Sequence, residues 1–278
     1  MNHPFEKIKL GALLFLASVL CMGGELLVLC SLPAQQESIR RVGGEFVDVR
    51  SVLPTGASPE TYSPSAREIT SFAKAQLLFL IGVPMEKPLV PRLKKAFPSL
   101  RQVDTTQVMQ MRPDDPHCWL DVNNMIAHTQ CVCQVLEELC PEQKDQFRKN
   151  AEEYIAELKS LLDDLRKCFA DCQGQVIVVW HPAYGYLLEP FGIRQIAVEE
   201  EGKTPGARHL VELRRETASL PCRSLLAPPQ ANRRQVKNAC KTLQLKEVQT
   251  EVIPAEYLSG MKKLAETIRE QFPKEEAK

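Results

Sequence analysis

Strand-like and helix-like segments alternate along most of this chain of 278 residues, and the alternation restricts the possible folds more than any other feature. Short apolar runs such as Gln76–Ile81 and Gln175–Trp180 predict buried strands, and amphipathic segments with a helical period follow them. This pattern is typical of α/β folds with mostly parallel strands. Further strands are predicted at Leu26–Leu32, Phe46–Leu53, Leu100–Asp104, Arg194–Val198, Ser224–Ala227 and Glu247–Glu251.

One long helical segment separates the strand-rich first and second halves of the chain. Apolar residues recur between Pro141 and Cys172 at helical spacing, and about thirty residues of helix span about 45 Å. We therefore expect an export segment at 1–24, an N-terminal α/β lobe at 25–140, a rigid linker helix at 141–172 and a C-terminal α/β lobe at 173–278. The other helices are predicted at Gln35–Gly43, Ala66–Lys74, Leu89–Phe97, Asp121–Leu139, Ala183–Phe191, Ala207–Leu220, Asn232–Leu243 and Pro254–Phe272.

The composition excludes several classes of protein. Hydrophobic residues make up 44% of the chain, and 35 Lys and Arg balance 35 Asp and Glu. A disordered chain would have fewer apolar residues and a net charge, and a nucleic-acid-binding protein would have a basic surplus. Only one apolar run approaches the length that spans a bilayer, which excludes a polytopic membrane protein. The sequence also shows no internal repeat.

The N-terminus resembles an export signal. Lys7 and Lys9 precede the apolar run Leu10–Leu20, and small residues follow it. A basic start, a short apolar run and a small-residue exit are typical of secretory signals. Cys21 directly follows the run, which allows lipidation after cleavage, so we expect a protein in the periplasm or at the outer face of the cytoplasmic membrane. A buried helix and an uncleaved anchor are the alternatives.

Ten cysteines first suggest disulfide or metal chemistry. Removal of the export segment leaves nine, an odd number. Cys131 and Cys133 would lie about 200° apart on a helix and could not share an ion. Cys168 and Cys172 have a helical spacing that does not favour a disulfide. Several of the cysteines are therefore expected to be small buried apolar residues.

Two short segments contain the residues best suited to binding chemistry. The first is DDPHCWLD, from Asp114 to Asp121, and the second is WHPAYGY, from Trp180 to Tyr186. His181 follows a strong strand, and ligands of open α/β sheets bind at the carboxyl ends of strands. His117 and His181 would come from different lobes and could converge across a cleft. A single histidine in such a place more often only caps or packs.

Three segments in order resemble the metal-ion solute-binding proteins of bacterial zinc and manganese ABC importers. They are PTGASPETYSPSAREI, DDPHCWLD and WHPAYGYLLEPFGIRQIAV, and the resemblance covers nearly all of Leu26–Phe272. It implies two α/β lobes with a metal cleft between them and four side chains around one divalent ion. The resemblance assigns His117 and His181 as ligands and places the first ligand on Glu60, where the family usually has histidine. Glu251 fits the fourth position best, and Asp115 and Glu256 are alternatives.

The same resemblance implies a function without bond chemistry. The protein would capture a divalent transition metal and deliver it to an ABC-type permease in the membrane, as a monomer and without nucleic acid. Two imidazoles and two carboxylates suit Mn²⁺, Zn²⁺ or Fe²⁺ better than Cu⁺. The second carboxylate and the absence of histidine from Thr105–Asp115 favour Mn²⁺ slightly.

Two other functions stay open because Glu60 departs from the usual histidine. The site could be degenerate, and the chain would then be a metal-free adhesin or interaction protein on the same scaffold. A metallohydrolase would need an open coordination position and a nearby general base. Four protein ligands would leave little room for either.

Overall fold

The computed structural model describes residues 25–199 and 205–272. The predicted export signal and Cys21 lie outside the described residues. The chain divides into two compact units. Of the described residues, the first unit comprises 25–54, Pro59–Gln110 and Asn123–Leu158, and the second comprises Thr55–Ser58, Met111–Val122, 159–199 and 205–272.

The first unit contains a four-stranded parallel sheet in the order β2-β1-β3-β4. The central strands β1 and β3 are short apolar runs with sequences LLVLC and LLFL, as expected for strands that are covered on both faces. Val28 and Phe79 of these strands pack against Val132 and Leu136. The strands are β1 (Leu26–Cys30), β2 (Val47–Ser51), β3 (Leu77–Leu80) and β4 (Arg101–Asp104).

Helices of the first unit follow the sequence signals closely. Ser65 and Glu68 form a reciprocal capping box, in which the Ser65 backbone N–H donates to Glu68 Oε2 at 2.7 Å. This cap fixes the start of the second helix at Ala66. The helices here are α1 (Gln36–Gly43), α2 (Ala66–Ser71), α3 (Glu86–Ala96) and α4 (Val122–Leu139), with Val122 itself counted in the second unit.

The second unit contains another four-stranded parallel sheet, in the order β6-β5-β7-β8. Its core includes Val178 and Leu225 from the central strands and Leu213 and Val236 from two helices. The strands are β5 (Val176–Val179), β6 (Arg194–Ala197), β7 (Ser224–Ala227) and β8 (Lys246–Gln249). The helices are α6 (Gly185–Leu188), α7 (Ala207–Thr217), α8 (Arg233–Leu243) and α9 (Tyr257–Arg269).

The two sheets repeat one topology, although the sequence shows no repeat. The residue that directly follows the central strand β1 or β5 makes the same backbone hydrogen bonds in each sheet. Ser31 N donates to Phe79 O at 3.1 Å, and Trp180 N donates to Leu226 O at 2.7 Å. On the opposite side, Ser31 O accepts from Leu53 N at 3.0 Å and Trp180 O accepts from Glu199 N at 2.9 Å, and these donors lie two residues after β2 and β6 respectively. The two sheets therefore share a backbone hydrogen-bond pattern, although the side chains at equivalent positions differ.

The long helix is α5, Lys144–Cys168, with 25 residues and a length of about 38 Å. It is shorter than the predicted 141–172, because a separate 3-10 turn at Pro141–Gln143 precedes it. Its residues up to Leu158 belong to the first unit and the remainder to the second. A two-lobe α/β fold with parallel sheets and a long middle helix is thus confirmed, while the treatment of 141–172 as a separate linker stays a prediction.

Other elements are shorter than the sequence predicts. The predicted helix Ala183–Phe191 is one α-turn, α6, followed by a 3-10 turn that contains Pro190 and ends at Gly192 in the left-handed region. Strand β8 ends at Gln249 and does not reach Glu251. None of the helices among the described residues combines the length and apolar character needed to cross a membrane.

Candidate metal centre

His117 is held by a tight turn in the second unit. Arg112 and Asp115 pair across this turn, and Asp114 adopts a left-handed conformation with φ of 59°. Asp115 Oδ1 accepts a hydrogen bond from His117 N at 3.0 Å and lies 2.7 Å from His117 Nδ1. Since a carboxylate only accepts, Nδ1 bears the ring proton and Nε2 keeps its lone pair. The sequence candidate Asp115 therefore orients His117.

His181 has the same arrangement at the end of the other sequence motif. It lies two residues after strand β5, and its Nδ1 is 2.9 Å from Glu199 Oε2. Glu199 follows the neighbouring strand β6. Sequence reasoning missed Glu199, although the signal existed: parallel neighbouring strands bring the residues just past their carboxyl ends together. The Glu199 carboxylate favours the ring proton of His181 on Nδ1, which leaves the Nε2 lone pair available to bind a metal.

The two Nε2 atoms face each other. They lie 3.3 Å apart, and the ring centroids are separated by 5.1 Å. Two lone pairs that point at each other repel unless a cation or proton lies between them. A tetrahedral Zn²⁺ with two Zn–N bonds of about 2.0–2.1 Å requires nitrogens about 3.3–3.4 Å apart. The separation of the two rings therefore matches that of a histidine pair that shares one ion.

The turn that positions His117 is fixed to α6. Tyr186 Oη accepts from Arg112 N at 2.6 Å, and the Arg112 guanidinium lies 4.5 Å from the centre of the Tyr186 ring. Arg112 also donates to Glu189 at 2.6 Å. A Cβ atom on Gly185 would lie only 3.0 Å from Asp115 Oδ2. The Tyr-Gly-Tyr segment after His181 thus orients the turn that contains His117.

The segment around Glu251 is tied to the same region of the second unit. The indole N–H of Trp119 donates to Val252 O at 2.7 Å, and the Trp119 ring lies 5.3 Å from the His117 ring. Tyr184 Oη lies 2.6 Å from Thr250 Oγ1. Glu251 itself is exposed, and its Oε1 accepts from the Ile253 N–H at 2.8 Å. Both neighbours of Glu251 are therefore anchored, and its carboxylate remains at the surface.

Glu60, the first of the predicted ligands, lies in the first unit, whereas His117 and His181 both lie in the second unit. Glu60 is exposed, and the preceding residue, Pro59, accepts a hydrogen bond from Met85 N at 3.0 Å. The ligand roles of Glu60, His117, His181 and Glu251 stay predictions.

Cys131 and Cys133 do not contribute to the candidate site. Both lie on α4 in the first unit, and Cys133 donates through Sγ to Glu137 Oε1 of the same helix at 3.3 Å. Burial and this hydrogen bond raise the pKa of Cys133 to about 12, so that its thiolate is disfavoured. A protonated thiol is a poor metal ligand.

Comparison with known families identifies the family of this chain. Residues 28–271 match the sequence profile of the family described as "ZnuA: Zinc-uptake complex component A periplasmic". The chain belongs to this family. The match covers both units and confirms the resemblance that the three sequence motifs indicate.

Individual relatives of the family are similar at low identity. The "Manganese ABC transporter substrate-binding lipoprotein PsaA" of Streptococcus mitis is 26% identical over 200 residues, which cover 64% of this chain and 65% of the relative. The chain thus spans slightly less than two thirds of that relative. The PsaA of Streptococcus anginosus is 25% identical over 244 residues, 75% of this chain and 79% of the relative.

Solved structures share the fold. The crystal structure of ZnuA superposes with a TM-score of 0.84 at 24% identity and covers 89% of this chain and 99% of its own. The periplasmic zinc-binding protein TroA of Treponema pallidum gives a TM-score of 0.80 at 17% identity, with the same coverage of both chains. These similarities establish the two-lobe α/β fold.

Proposed function

We propose that this protein is the solute-binding component of an ABC-type metal importer. It captures one divalent transition-metal ion outside the cytoplasm and delivers it to the membrane permease. The observation that carries the proposal is the histidine pair, with two Nε2 atoms 3.3 Å apart and each Nδ1 bonded to a carboxylate. An arrangement of this kind has little use in a protein that only packs or adheres.

The proposed ligand set is Glu60, His117, His181 and Glu251. Glu60 is supported by its place in the first of the three sequence motifs, PTGASPETYSPSAREI, and by the ability of a carboxylate to bind these ions. Glu251 is supported by its neighbours Thr250 and Val252, which are anchored to Tyr184 and to Trp119, and the Trp119 ring lies 5.3 Å from the His117 ring. Two neutral imidazoles and two carboxylates neutralise a dication. The ion is released intact, so this function involves no catalysis.

We propose Mn²⁺ or Zn²⁺ as the transported ion, with Fe²⁺ as a third candidate. The mixed nitrogen and oxygen ligand set is compatible with all three. The curated PsaA relatives are named as manganese transporters, and a ZnuA deletion mutant with the same fold was crystallised with zinc bound.

The proposed location is outside the cytoplasmic membrane. The basic and apolar start of the sequence supports export, and Cys21 would allow a lipid anchor of the kind implied by the lipoprotein relatives. The proposed partner is the permease of the same importer, and the protein is proposed to act as a monomer.

Titration of metal-stripped protein with Mn²⁺ and Zn²⁺ tests this function. We expect one ion per chain and a rise in Tm when the ion is bound. His181→Ala and Glu60→Ala should each weaken binding by more than about 100-fold, because either change removes a direct ligand. His209→Ala, which alters a histidine outside the proposed ligand set, is the matched control.

Three results would contradict the proposal in different ways. If the wild-type protein binds neither ion, the transport function fails and the metal-free interaction protein replaces it. If Glu60→Ala has no effect while His181→Ala does, Glu60 is not a ligand. If Glu251→Ala has no effect, the fourth position is filled by another residue or by water.

A further inference from the structure

The charge of the chain is unevenly distributed. The whole sequence has no net charge, yet residues 205–246 contain nine Lys and Arg against two Glu. This segment comprises α7, β7 and α8 and continues to the first residue of β8. The rest of the chain therefore has an acidic excess of the same size. Such separation produces a local positive potential on a neutral protein.

Helices α7 and α8 cover the same side of the second sheet. Leu210 and Leu213 of α7 and Val236 and Leu243 of α8 belong to one core cluster with strand residues of that sheet. The two helices are also in direct contact. The sides of α7 and α8 that face away from this cluster therefore form one continuous exposed surface.

This exposed surface has the same residue spacing on both helices. Positions i, i+3 and i+7 are Arg208, Val211 and Arg215 on α7, and Arg234, Lys237 and Lys241 on α8. All six are exposed, and Val211 is 47% exposed. The stripes are about 10 Å long and about 8–10 Å apart. We call these six residues the basic face.

Most of the charge on the basic face is uncompensated. Arg208 donates to Glu212 at 3.0 Å on its own helix. Arg215, Arg234, Lys237 and Lys241 form no ion pair with any carboxylate of the described residues. Four unpaired cations within a patch about 10 Å across repel each other in the isolated protein. An anionic surface would relieve this repulsion.

We propose that the basic face docks on the anionic phospholipid surface of the membrane beside which the protein works. The proposal rests on the proposed function only for the location outside the cytoplasm. Clusters of four to eight basic residues on amphipathic helices favour anionic lipid headgroups, and the exposed Val211 between Arg208 and Arg215 adds apolar contact. A lipid anchor at Cys21 would hold the chain beside the bilayer, so that even a weak charge attraction would orient it.

Vesicle binding tests the proposal. The full chain with Cys21→Ser, which cannot be lipidated, is sedimented with phosphatidylcholine vesicles and with vesicles that also contain phosphatidylglycerol. The measured quantity is the ratio of binding to the two kinds of vesicle. The apolar N-terminal run could insert into either kind, and its contribution cancels in this ratio. We expect a clear preference that falls as salt is added. The triple variant Arg234→Glu, Lys237→Glu, Lys241→Glu should lower it by at least about 100-fold.

The matched control places the same charge change on another exposed helix face. Lys87→Glu, Lys94→Glu, Lys95→Glu alters three exposed lysines of α3 in the first unit and should retain the preference. Circular dichroism checks that both variants fold, and metal titration should be the same for both, which separates this test from that of the transport function. Equal loss in the two variants, or no preference in the parent chain, overturns the proposal. A basic-face variant that binds vesicles normally but fails in metal uptake would indicate an acidic permease surface and also overturn it.

Discussion

His128 allows a direct test of the energetics of the first unit. It lies on α4 with no exposed surface, and neither ring nitrogen has a hydrogen-bond partner among the described residues. Phe79 packs edge-on at a centroid distance of 5.9 Å. Burial without a partner disfavours the imidazolium and lowers the pKa of His128 to about 3.

The sign of the pH effect on the unfolding free energy follows from the difference in proton binding by His128 between the folded and the unfolded chain. In the unfolded chain the pKa of a histidine is about 6.5, so below that pH the unfolded state binds a proton that the folded state excludes. The free energy of unfolding therefore falls as pH falls from about 6.5 towards 3. Between pH 7 and pH 4 the loss from His128 alone is about 3 kcal/mol.

Urea denaturation at pH 7 and pH 4, followed by circular dichroism, measures this loss. His128→Phe keeps an aromatic ring in the same space and removes the proton linkage. The difference in unfolding free energy between the two pH values should shrink by about 3 kcal/mol in this variant. The control His209→Phe, at a half-buried position of α7, should not reduce the difference by a comparable amount. An unchanged pH difference in His128→Phe would refute the reasoning, because His128 would then be protonated equally in both states.

Two further substitutions test contacts described above. Glu199→Gln keeps an acceptor for His181 Nδ1 but removes its charge, so metal affinity measured by calorimetry should fall about 10–100-fold while the Tm of the metal-free protein stays nearly constant. Equal affinities would exclude a role for the Glu199 charge. Gly260→Ala places a Cβ against Pro254 and should lower the unfolding free energy by about 1–3 kcal/mol in chemical denaturation. Gly206→Ala, where the Cβ would meet open space, should change it less.

The fold class and the position of His181 at a strand end could be predicted because local sequence encodes them. Buried parallel strands require apolar runs, and His181 directly follows one of these runs. Glu199 could not be selected in the same way, because Glu199, Glu200 and Glu201 are consecutive and only the register between β5 and β6 decides which carboxylate reaches His181.

The orientation of Glu251 could not be predicted from the sequence either. A strand predicted as Glu247–Glu251 would have placed this carboxylate at the strand end, but β8 stops at Gln249. The following residues turn, and Glu251 accepts from the backbone of Ile253. That outcome depends on the tertiary anchors Trp119 and Tyr184, which lie far from Glu251 in sequence.

The repeated topology has a consequence for how many ions one chain can hold. Because Ser31 N bonds to Phe79 O as Trp180 N bonds to Leu226 O, Leu32 occupies in the first sheet the position that His181 occupies in the second. Leu53 N donates to Ser31 O as Glu199 N donates to Trp180 O, so Leu53 is the counterpart of Glu199. Both leucines are almost completely buried. The first sheet therefore has two buried leucines, and no metal-binding side chains, at the positions that correspond to His181 and Glu199, which fits the proposed capture of one ion per chain.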